Sequence, residues 1–166
     1  MDSNDNMTLT TVERTSDRDL VVTRRVDGPA RLVFDAWTKP DLMMRWWAPK
    51  SFPITFLTCE MDARTGGTYR LTFGHPSSDQ PIAFFGTYTE VIPNERIVWT
   101  NDESPEGAVS TVTLTEQGGW TQVVMHELYP TKQALDDAIA SGSTRGYPEQ
   151  YLQLDALLNS LGTGTS

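Results

Sequence analysis

The sequence predicts a single α+β domain in which a seven-stranded, curved antiparallel sheet surrounds a long C-terminal helix. Three observations predict this fold. The length of 166 residues suits one domain, apolar and polar residues alternate with period two between residues 54 and 128, and a C-terminal segment carries an apolar stripe at helical spacing. Hydrophobic residues make up 38% and charged residues 21% of the chain, which is typical of a folded domain with a core.

The N-terminal third contains one strand and two short helices. Residues 1–18 are polar and acidic, and we predict that they form a disordered lead-in. The β-branched segment 19–26 is the first predicted strand, and the Asp-Gly-Pro that follows it is a turn signal. Residues 30–37 and 41–46 are predicted as short helices, with Pro40 suited to the first helical position of the second.

The middle of the chain is predicted to be all strand. Six further strands are expected near residues 54–62, 68–73, 82–92, 96–100, 109–116 and 121–128. The connections between them are two to eight residues long, rich in Gly, Pro, Asn and Ser, and too short for a helix. The sheet should therefore be an antiparallel meander, and βαβ units are excluded from this region.

The C-terminal part returns to helical spacing. Residues 132–140 are predicted as a short helix, and a longer one should start near residues 144–147 and end near 161, because Pro148 is tolerated only in a first turn. Its apolar residues fall on one face: Tyr147, Tyr151, Leu154, Leu158 and Leu161. The folded domain is thus expected over residues 19–161, with a flexible tail at 162–166.

Composition excludes several classes of protein. The formal net charge of −9 argues against nucleic-acid binding and against docking on an anionic membrane. Cys59 is the single cysteine, no apolar run is long enough to span a bilayer, and the N-terminus does not resemble a secretory signal. We therefore expect a cytoplasmic location. His75, His126 and Cys59 fall on separate elements without metal-ligand spacing, so no metal is predicted. No Gly-x-Gly-x-x-Gly or Walker pattern occurs, and no cofactor is predicted.

Three stretches carry a resemblance to a known family. They are Val26-Asp-Gly-Pro-Ala-Arg-Leu-Val-Phe-Asp-Ala-Trp-Thr-Lys-Pro40 with Arg45-Trp46-Trp47-Ala48-Pro49, Asp62-Ala-Arg-Thr-Gly-Gly-Thr-Tyr-Arg70, and Gly86-Thr-Tyr-Thr-Glu-Val-Ile-Pro-Asn-Glu-Arg-Ile-Val-Trp-Thr100. Together they resemble the family named for the activator of heat-shock protein 90 ATPase, in its single-domain bacterial form. That family lies within the START-like, or SRPBCC, superfamily. The resemblance covers about residues 19–161.

The resemblance implies the helix-grip fold, which is also that of the birch-pollen allergens, and a cavity between sheet and C-terminal helix. The chain departs from the family's pattern at two places. Gly146-Tyr147 stands where the final helix usually opens with Gly-Trp, and Glu127 stands where the last strand often ends in histidine. Ligand contacts are expected at both places, so the identity of a ligand does not carry over from the family.

Two motifs each allow two interpretations. In Trp46-Trp47, one indole either lines the mouth of the cavity and offers its N–H to a ligand, or both rings cap the core. The run from Asp62 through Arg64 to Gly66-Gly67 is either an anion site or a structural hairpin. The hairpin is favoured, with glycine at positive φ and an Arg64–Asp62 ion pair, because anion binding by turn amides normally needs a helix start or a P-loop pattern.

Glu127 is the candidate catalytic residue. His126 and Glu127 are adjacent on a strand, so they point to opposite faces and cannot form a dyad. Alternation groups Glu127 with Thr121, Val123 and Met125 on the face that looks inward. A carboxyl group there would have a raised pKa from desolvation and could act as a general acid or base. A solvated residue at the end of a strand is the alternative.

Alternation on the strands and the apolar faces of the helices predict the residues that face the interior and would contact a ligand. They are Trp37, Trp46, Leu57, Met61, Tyr69, Leu71, Phe73, Trp99, Met125, Tyr147, Tyr151 and Leu154. The same residues would equally suit a solid core.

Three functions follow as hypotheses. The first is binding of a small hydrophobic or aromatic molecule in the cavity. The second is a polyketide cyclase/aromatase-like enzyme that uses Glu127 and tyrosine hydroxyls in the same cavity, so whether the protein is an enzyme stays open. The third, implied by the family name, is a co-chaperone that stimulates a chaperone ATPase. A homodimer is a further expectation that no sequence feature localises.

Overall fold

One antiparallel sheet of eight strands organises residues 10–163, which are the residues that this computed structural model describes. The strands are β1 (Thr11–Arg14), β2 (Asp19–Val26), β3 (Thr55–Met61), β4 (Thr68–His75), β5 (Ser78–Ile92), β6 (Arg96–Thr100), β7 (Val109–Gln117) and β8 (Trp120–Leu128). Their order in the sheet is β1-β2-β8-β7-β6-β5-β4-β3. The predicted antiparallel meander is confirmed from β3 to β8, and the last strand pairs with β2.

The predicted disordered lead-in over residues 1–18 is wrong for its C-terminal part, because residues 11–14 form a strand. β1 pairs antiparallel with β2 over four residues, with Val12 opposite Val22. The sheet therefore has eight strands rather than seven. β2 would otherwise be an edge with unpaired N–H and C=O groups, and β1 covers that edge. Residues 1–9 of the predicted lead-in lie outside the described residues.

Four α-helices follow the predicted order. They are α1 (Ala30–Thr38), α2 (Pro40–Trp46), α3 (Lys132–Ala140) and α4 (Tyr147–Thr163), with a 3₁₀ turn at Ser143–Gly146 before the last. α4 extends two residues into the predicted tail, and residues 164–166 lie outside the described ones. No helix within residues 10–163 is long and apolar enough to cross a bilayer.

The turn between β4 and β5 is tighter than predicted. We expected a break over residues 75–79 and a strand from 82, whereas β5 already begins at Ser78, opposite His75. Pro81 is tolerated inside β5 because this part of the strand pairs only with β4 and reaches β6 only from Tyr88 onward. A missing N–H on the unpaired side removes no ladder bond.

α4 packs its apolar face against the inner face of the curved sheet, in the manner of the helix-grip fold. Tyr151, Leu154 and Leu158 are fully buried there, against sheet residues such as Val22 and Met125. α1 contacts β7 and β8, and α2 contacts both α4 and β3. The two short helices therefore close one end of the space between sheet and α4.

A buried arginine lies between β2 and α4. Arg24 is on the inner face of β2 and is 1% exposed. Its Nη2 lies 3.7 Å from Oδ2 of Asp155 on α4, and its Nη1 donates to Thr10 Oγ1 at 3.3 Å. Asp155 Oδ1 also accepts a 2.9 Å hydrogen bond from the backbone N–H of Asp27. Asp155 thus links the last helix to the end of the first long strand.

Asp155→Ala should lower the free energy of unfolding by about 2 kcal/mol, because it removes the ion pair with the buried Arg24 and the acceptor of the Asp27 N–H. Urea unfolding of the two proteins measures the difference. Asp79→Ala removes the same side chain from an exposed position near the start of β5 and should change stability by less than about 0.5 kcal/mol. Equal effects of the two substitutions would show that the Arg24–Asp155 contact contributes nothing.

Candidate functional site

A cavity of about 430 Å³ lies between the inner face of the sheet, α2 and the start of α4. Its walls are mainly aromatic and aliphatic side chains, among them Trp47, Phe52, Phe73 and Trp99. Phe84 lines the cavity and is still 41% exposed. Because Phe84 pairs with the inward-facing Leu71 on β4, it marks the side where the cavity opens to solvent.

Eight of the predicted site residues line this cavity. They are Trp37, Met61, Tyr69, Leu71, Phe73, Trp99, Tyr147 and Glu127. Period-two alternation predicts the inward face for the strand residues among them, and the buried patterns of β4, β6 and β8 confirm it for those three strands. The inward orientation of Glu127 is confirmed as well, since its side chain is 7% exposed.

Four other predicted residues are buried but belong to the packed core. Trp46, Met125, Tyr151 and Leu154 are each at most 1% exposed and lie outside the cavity wall. They do not line the cavity because they fill the layer between α4, the short helices and the sheet, where side chains pack without leaving space. Periodicity distinguishes the inner from the outer face, and it does not distinguish a filled interior from an open one.

The prediction for Leu57 is wrong. Leu57 is 47% exposed and lies outside the cavity. The register of β3 against β4 shifts between Phe56 and Thr58, which is a β-bulge. One extra residue reverses the alternation locally, so Phe56 packs against the core while Leu57 points away from it.

Of the tryptophan pair, Trp46 caps the core and Trp47 lines the cavity. Trp46 is fully buried and donates its indole N–H to the backbone oxygen of Ala36 at 2.9 Å, so it caps the core. Trp47 is half-buried and lines the cavity. Its backbone oxygen accepts from the side-chain amide of Gln150 on α4 at 2.7 Å, which fixes this wall of the cavity against the helix.

Glu127 forms the polar end of the cavity. Ser110 on β7 donates its hydroxyl to Glu127 Oε2 at 2.7 Å, and Tyr147 on α4 lies close enough to the carboxyl group to lower its pKa. Burial raises the pKa of Glu127 from 4.5 to about 7, against the opposing effects of Ser110, His126 and Tyr147. Both protonation states are therefore accessible near neutral pH.

Ser110 connects Glu127 to a second group of polar side chains. Asn101 Nδ2 lies 3.2 Å from Ser110 Oγ and 2.6 Å from the backbone oxygen of Ala108. The hydroxyl of Tyr69 donates to the backbone oxygen of Thr100 at 2.7 Å and lies 3.2 Å from Asn101 Oδ1. Hydrogen bonds thus run along the cavity wall from β4 to β8 and hold the polar groups in fixed positions.

Trp37 contributes a different polar group. Its side chain lines the cavity and is 2% exposed, and its Nε1 has no hydrogen-bond partner among residues 10–163. A buried donor without a partner costs about 1–3 kcal/mol. An oxygen atom of a bound molecule would remove that cost if it reached this N–H.

Sequence reasoning missed several lining residues. Ser110, Asn101 and Tyr129 carry polar groups of the cavity, and Phe52 and Phe84 carry apolar ones. A signal existed for Ser110, because it shares the inner face of β7 with Val112 and Leu114, and a serine among inward apolar residues indicates a polar partner. The Asn101 and Phe52 contacts depend on loop conformation, for which periodicity carries no signal.

The remaining motifs are structural. Arg64 bonds both carboxylate oxygens of Asp62, at 2.9 and 3.1 Å, and Gly66 has φ of +89°, so the hairpin interpretation is confirmed. His126 is on the outer face of β8, where its Nε2 contacts Asp19 Oδ1. Within residues 10–163, no three His, Cys, Asp or Glu side chains come together as a metal site would require.

Comparison with known proteins identifies a family by sequence and the same fold in solved structures. The sequence model of the family "Activator of Hsp90 ATPase homolog 1-like protein" matches residues 27–159. Comparison with curated proteins gave no match.

Solved structures of bacterial proteins have the same fold. Protein Q3J4M4_RHOS4 from Rhodobacter sphaeroides superposes with a TM-score of 0.82 at 22% identity, over 92% of this chain and 99% of that one. Protein CV1439 from Chromobacterium violaceum gives 0.68 at 29% identity, over 84% and 96%. The AHSA1-like protein from Aeromonas hydrophila gives 0.58 at 20% identity, over 82% and 94%.

Proposed function

The chain belongs to the activator of Hsp90 ATPase homolog 1-like family, and from that premise we propose that it binds a small hydrophobic or aromatic molecule between the sheet and α4. The observation that carries this proposal is the cavity itself. Its volume of about 430 Å³ falls within the roughly 300–1,000 Å³ of small-molecule sites. Apolar walls and a few fixed polar groups are the usual composition of such sites.

The polar end supports binding with a defined orientation. Glu127, Ser110 and Tyr147 present a carboxyl group and two hydroxyls at one end, while Phe52 and Phe84 lie among the apolar walls. A molecule with an apolar body and one polar group would bury the body against the aromatic rings. Its polar group would then replace, at Glu127, the hydrogen bonds it leaves behind in water.

Ala108→Phe should weaken binding of the uncharged fluorescent probe phenylnaphthylamine at least about ten-fold, because the larger side chain occupies part of the cavity. Ala108 lines the cavity and is 5% exposed. The measurement is a fluorescence titration with wild-type protein and variant.

The matched control is Val109→Phe, which adds the same ring at the neighbouring, 39% exposed position outside the cavity wall. It should bind the probe as wild type does. Circular dichroism melts establish that both variants are folded. Probe binding that is equally strong in all three proteins would place the probe elsewhere and contradict the proposal, and so would a wild-type protein that does not bind it.

The other two hypotheses stay predictions. A cyclase/aromatase-like reaction would use the same cavity, with Glu127 as acid or base, since a carboxyl with a pKa of about 7 suits proton transfer near neutral pH. The co-chaperone hypothesis rests on the family description alone. A homodimer and a cytoplasmic location also stay predictions.

A further inference from the structure

The charged groups that line the cavity are of one sign. Glu127 and Glu103 carry the two carboxyl groups in its wall, and no Lys, Arg or His lines it within residues 10–163. Glu103 Oε2 accepts from the backbone N–H of Phe85 at 3.2 Å, which fixes this second carboxyl. A bound anion would meet two carboxyl groups and no compensating cation.

The groups packed around Glu127 add no positive charge inside the cavity. Ser110 is the neighbour on β7 and Leu20 the neighbour on β2. His126, next to Glu127 along β8, is on the outer face and contacts Asp19 there. The chain's formal net charge is −9, so the surroundings also disfavour an anion.

In the described part of the chain, the other titratable groups near Glu127 are four tyrosines. Tyr147 and Tyr151 approach it from α4, and Tyr69 and Tyr129 from β4 and the end of β8. Burial raises the pKa of each, to about 12 for Tyr129, so all four hydroxyls are neutral at physiological pH. Glu127 is therefore the one group of this set that changes charge near neutral pH.

The carboxyl group of Glu127 retains capacity for a ligand. A carboxylate offers about four acceptor positions, of which Ser110 occupies one. Indole faces attract ammonium groups through their quadrupoles, and Trp37, Trp47 and Trp99 all line the cavity. The unpartnered N–H of Trp37 is a single neutral donor, which does not offset two carboxyl groups for an anionic ligand.

We infer that the cavity selects molecules that join an apolar or aromatic body to a basic nitrogen, with the ammonium group on Glu127, and rejects carboxylic acids of the same body. The inference rests on the proposed function and names the ligand class of that site. It also predicts a pH-dependent preference, because only the ionised carboxyl group attracts the ammonium group by charge.

Three ligands with one aromatic body test the inference: naphthylmethylamine, naphthylmethanol and naphthoate. Each competes with phenylnaphthylamine for the wild-type protein, at about pH 8 and about pH 6. At about pH 8 the amine should bind at least about ten-fold more tightly than naphthoate, with the alcohol between them. Lowering the pH to about 6 should weaken amine binding by up to about ten-fold as Glu127 takes up a proton.

Glu127→Gln keeps the shape of the side chain and removes its charge. In this variant the preference for the amine over naphthoate should shrink, and its dependence on pH should disappear. Glu60→Gln is the matched control, since Glu60 is exposed on β3 outside this cavity, and it should behave as wild type. The wild-type pH comparison needs no variant and stands even if Glu127→Gln is unstable.

The possible outcomes separate the two proposals. If the alcohol and the probe bind while naphthoate binds as tightly as the amine, the charge preference is wrong and the proposed function stands. If neither the probe nor the alcohol binds the wild-type protein, the proposed function fails and the inference fails with it. An amine preference that Glu127→Gln leaves unchanged would also overturn the assignment to Glu127.

Discussion

Trp46→Ala is expected to lower the free energy of unfolding by about 4 kcal/mol, the usual range for truncating a buried tryptophan. Trp46 is fully buried, and its ring stands edge-on to Trp37 and Trp47, with centroids 4.6 and 5.4 Å apart. The substitution empties this space and leaves the backbone oxygen of Ala36 without its donor. Urea unfolding monitored by circular dichroism measures the loss.

Trp120→Ala is the matched control for this prediction. Trp120 is a half-buried residue of β8, at a position that alternation places on the outer face, and it stacks with the Arg25 guanidinium 4.0 Å from its ring centroid. Its loss should cost about 1 kcal/mol or less. If Trp46→Ala cost no more than Trp120→Ala, Trp46 would not be the core cap that its burial indicates.

Glu127→Gln is expected to make the protein about 3 kcal/mol more stable relative to wild type above pH 7 than at pH 4.5. In the folded wild-type protein the pKa of Glu127 is raised from 4.5 to about 7, first of all by burial. Between these two values the unfolded chain releases the Glu127 proton while the folded chain keeps it. Wild-type stability therefore falls as the pH rises through this window.

The size of the effect follows from the raised pKa, because a change of one in pKa corresponds to about 1.4 kcal/mol. Below pH 4.5 the folded and the unfolded wild-type protein both hold the Glu127 proton, so the raised pKa no longer lowers the free energy of unfolding. Urea unfolding of both proteins at a series of pH values gives the difference in stability, in which the titration of other groups cancels. A flat or opposite slope for Glu127→Gln would contradict its burial as a carboxyl group.

Much of this fold is contained in local patterns. Alternation along β8 places Glu127 with Val123 and Met125 on the inner face, as observed. The change from helical to period-two spacing near Pro53 and back near Lys132 locates the sheet between the helices. Each of these patterns reflects one element that buries one face, which is the property that a single sequence displays.

The rest depends on contacts between distant residues. The bulge that turns Leu57 outward arises from the register of β3 against β4, and β1 forms because β2 offers an edge. The hydrogen bond from Ser110 to Glu127 joins residues 17 positions apart in two paired strands. Whether Trp46 or Trp47 lines the cavity depends on how the short helices meet α4, which neighbouring identical residues cannot indicate.

A crystal structure with naphthylmethylamine would show whether the space between the sheet and α4 is a binding site whose polar end is Glu127. We expect the aromatic body to lie between Phe73, Phe84 and Trp99, with the nitrogen about 3 Å from a carboxylate oxygen of Glu127. A ligand on the outer surface, or a cavity closed by rearranged side chains with no ligand in it, would show that this space is not the binding site.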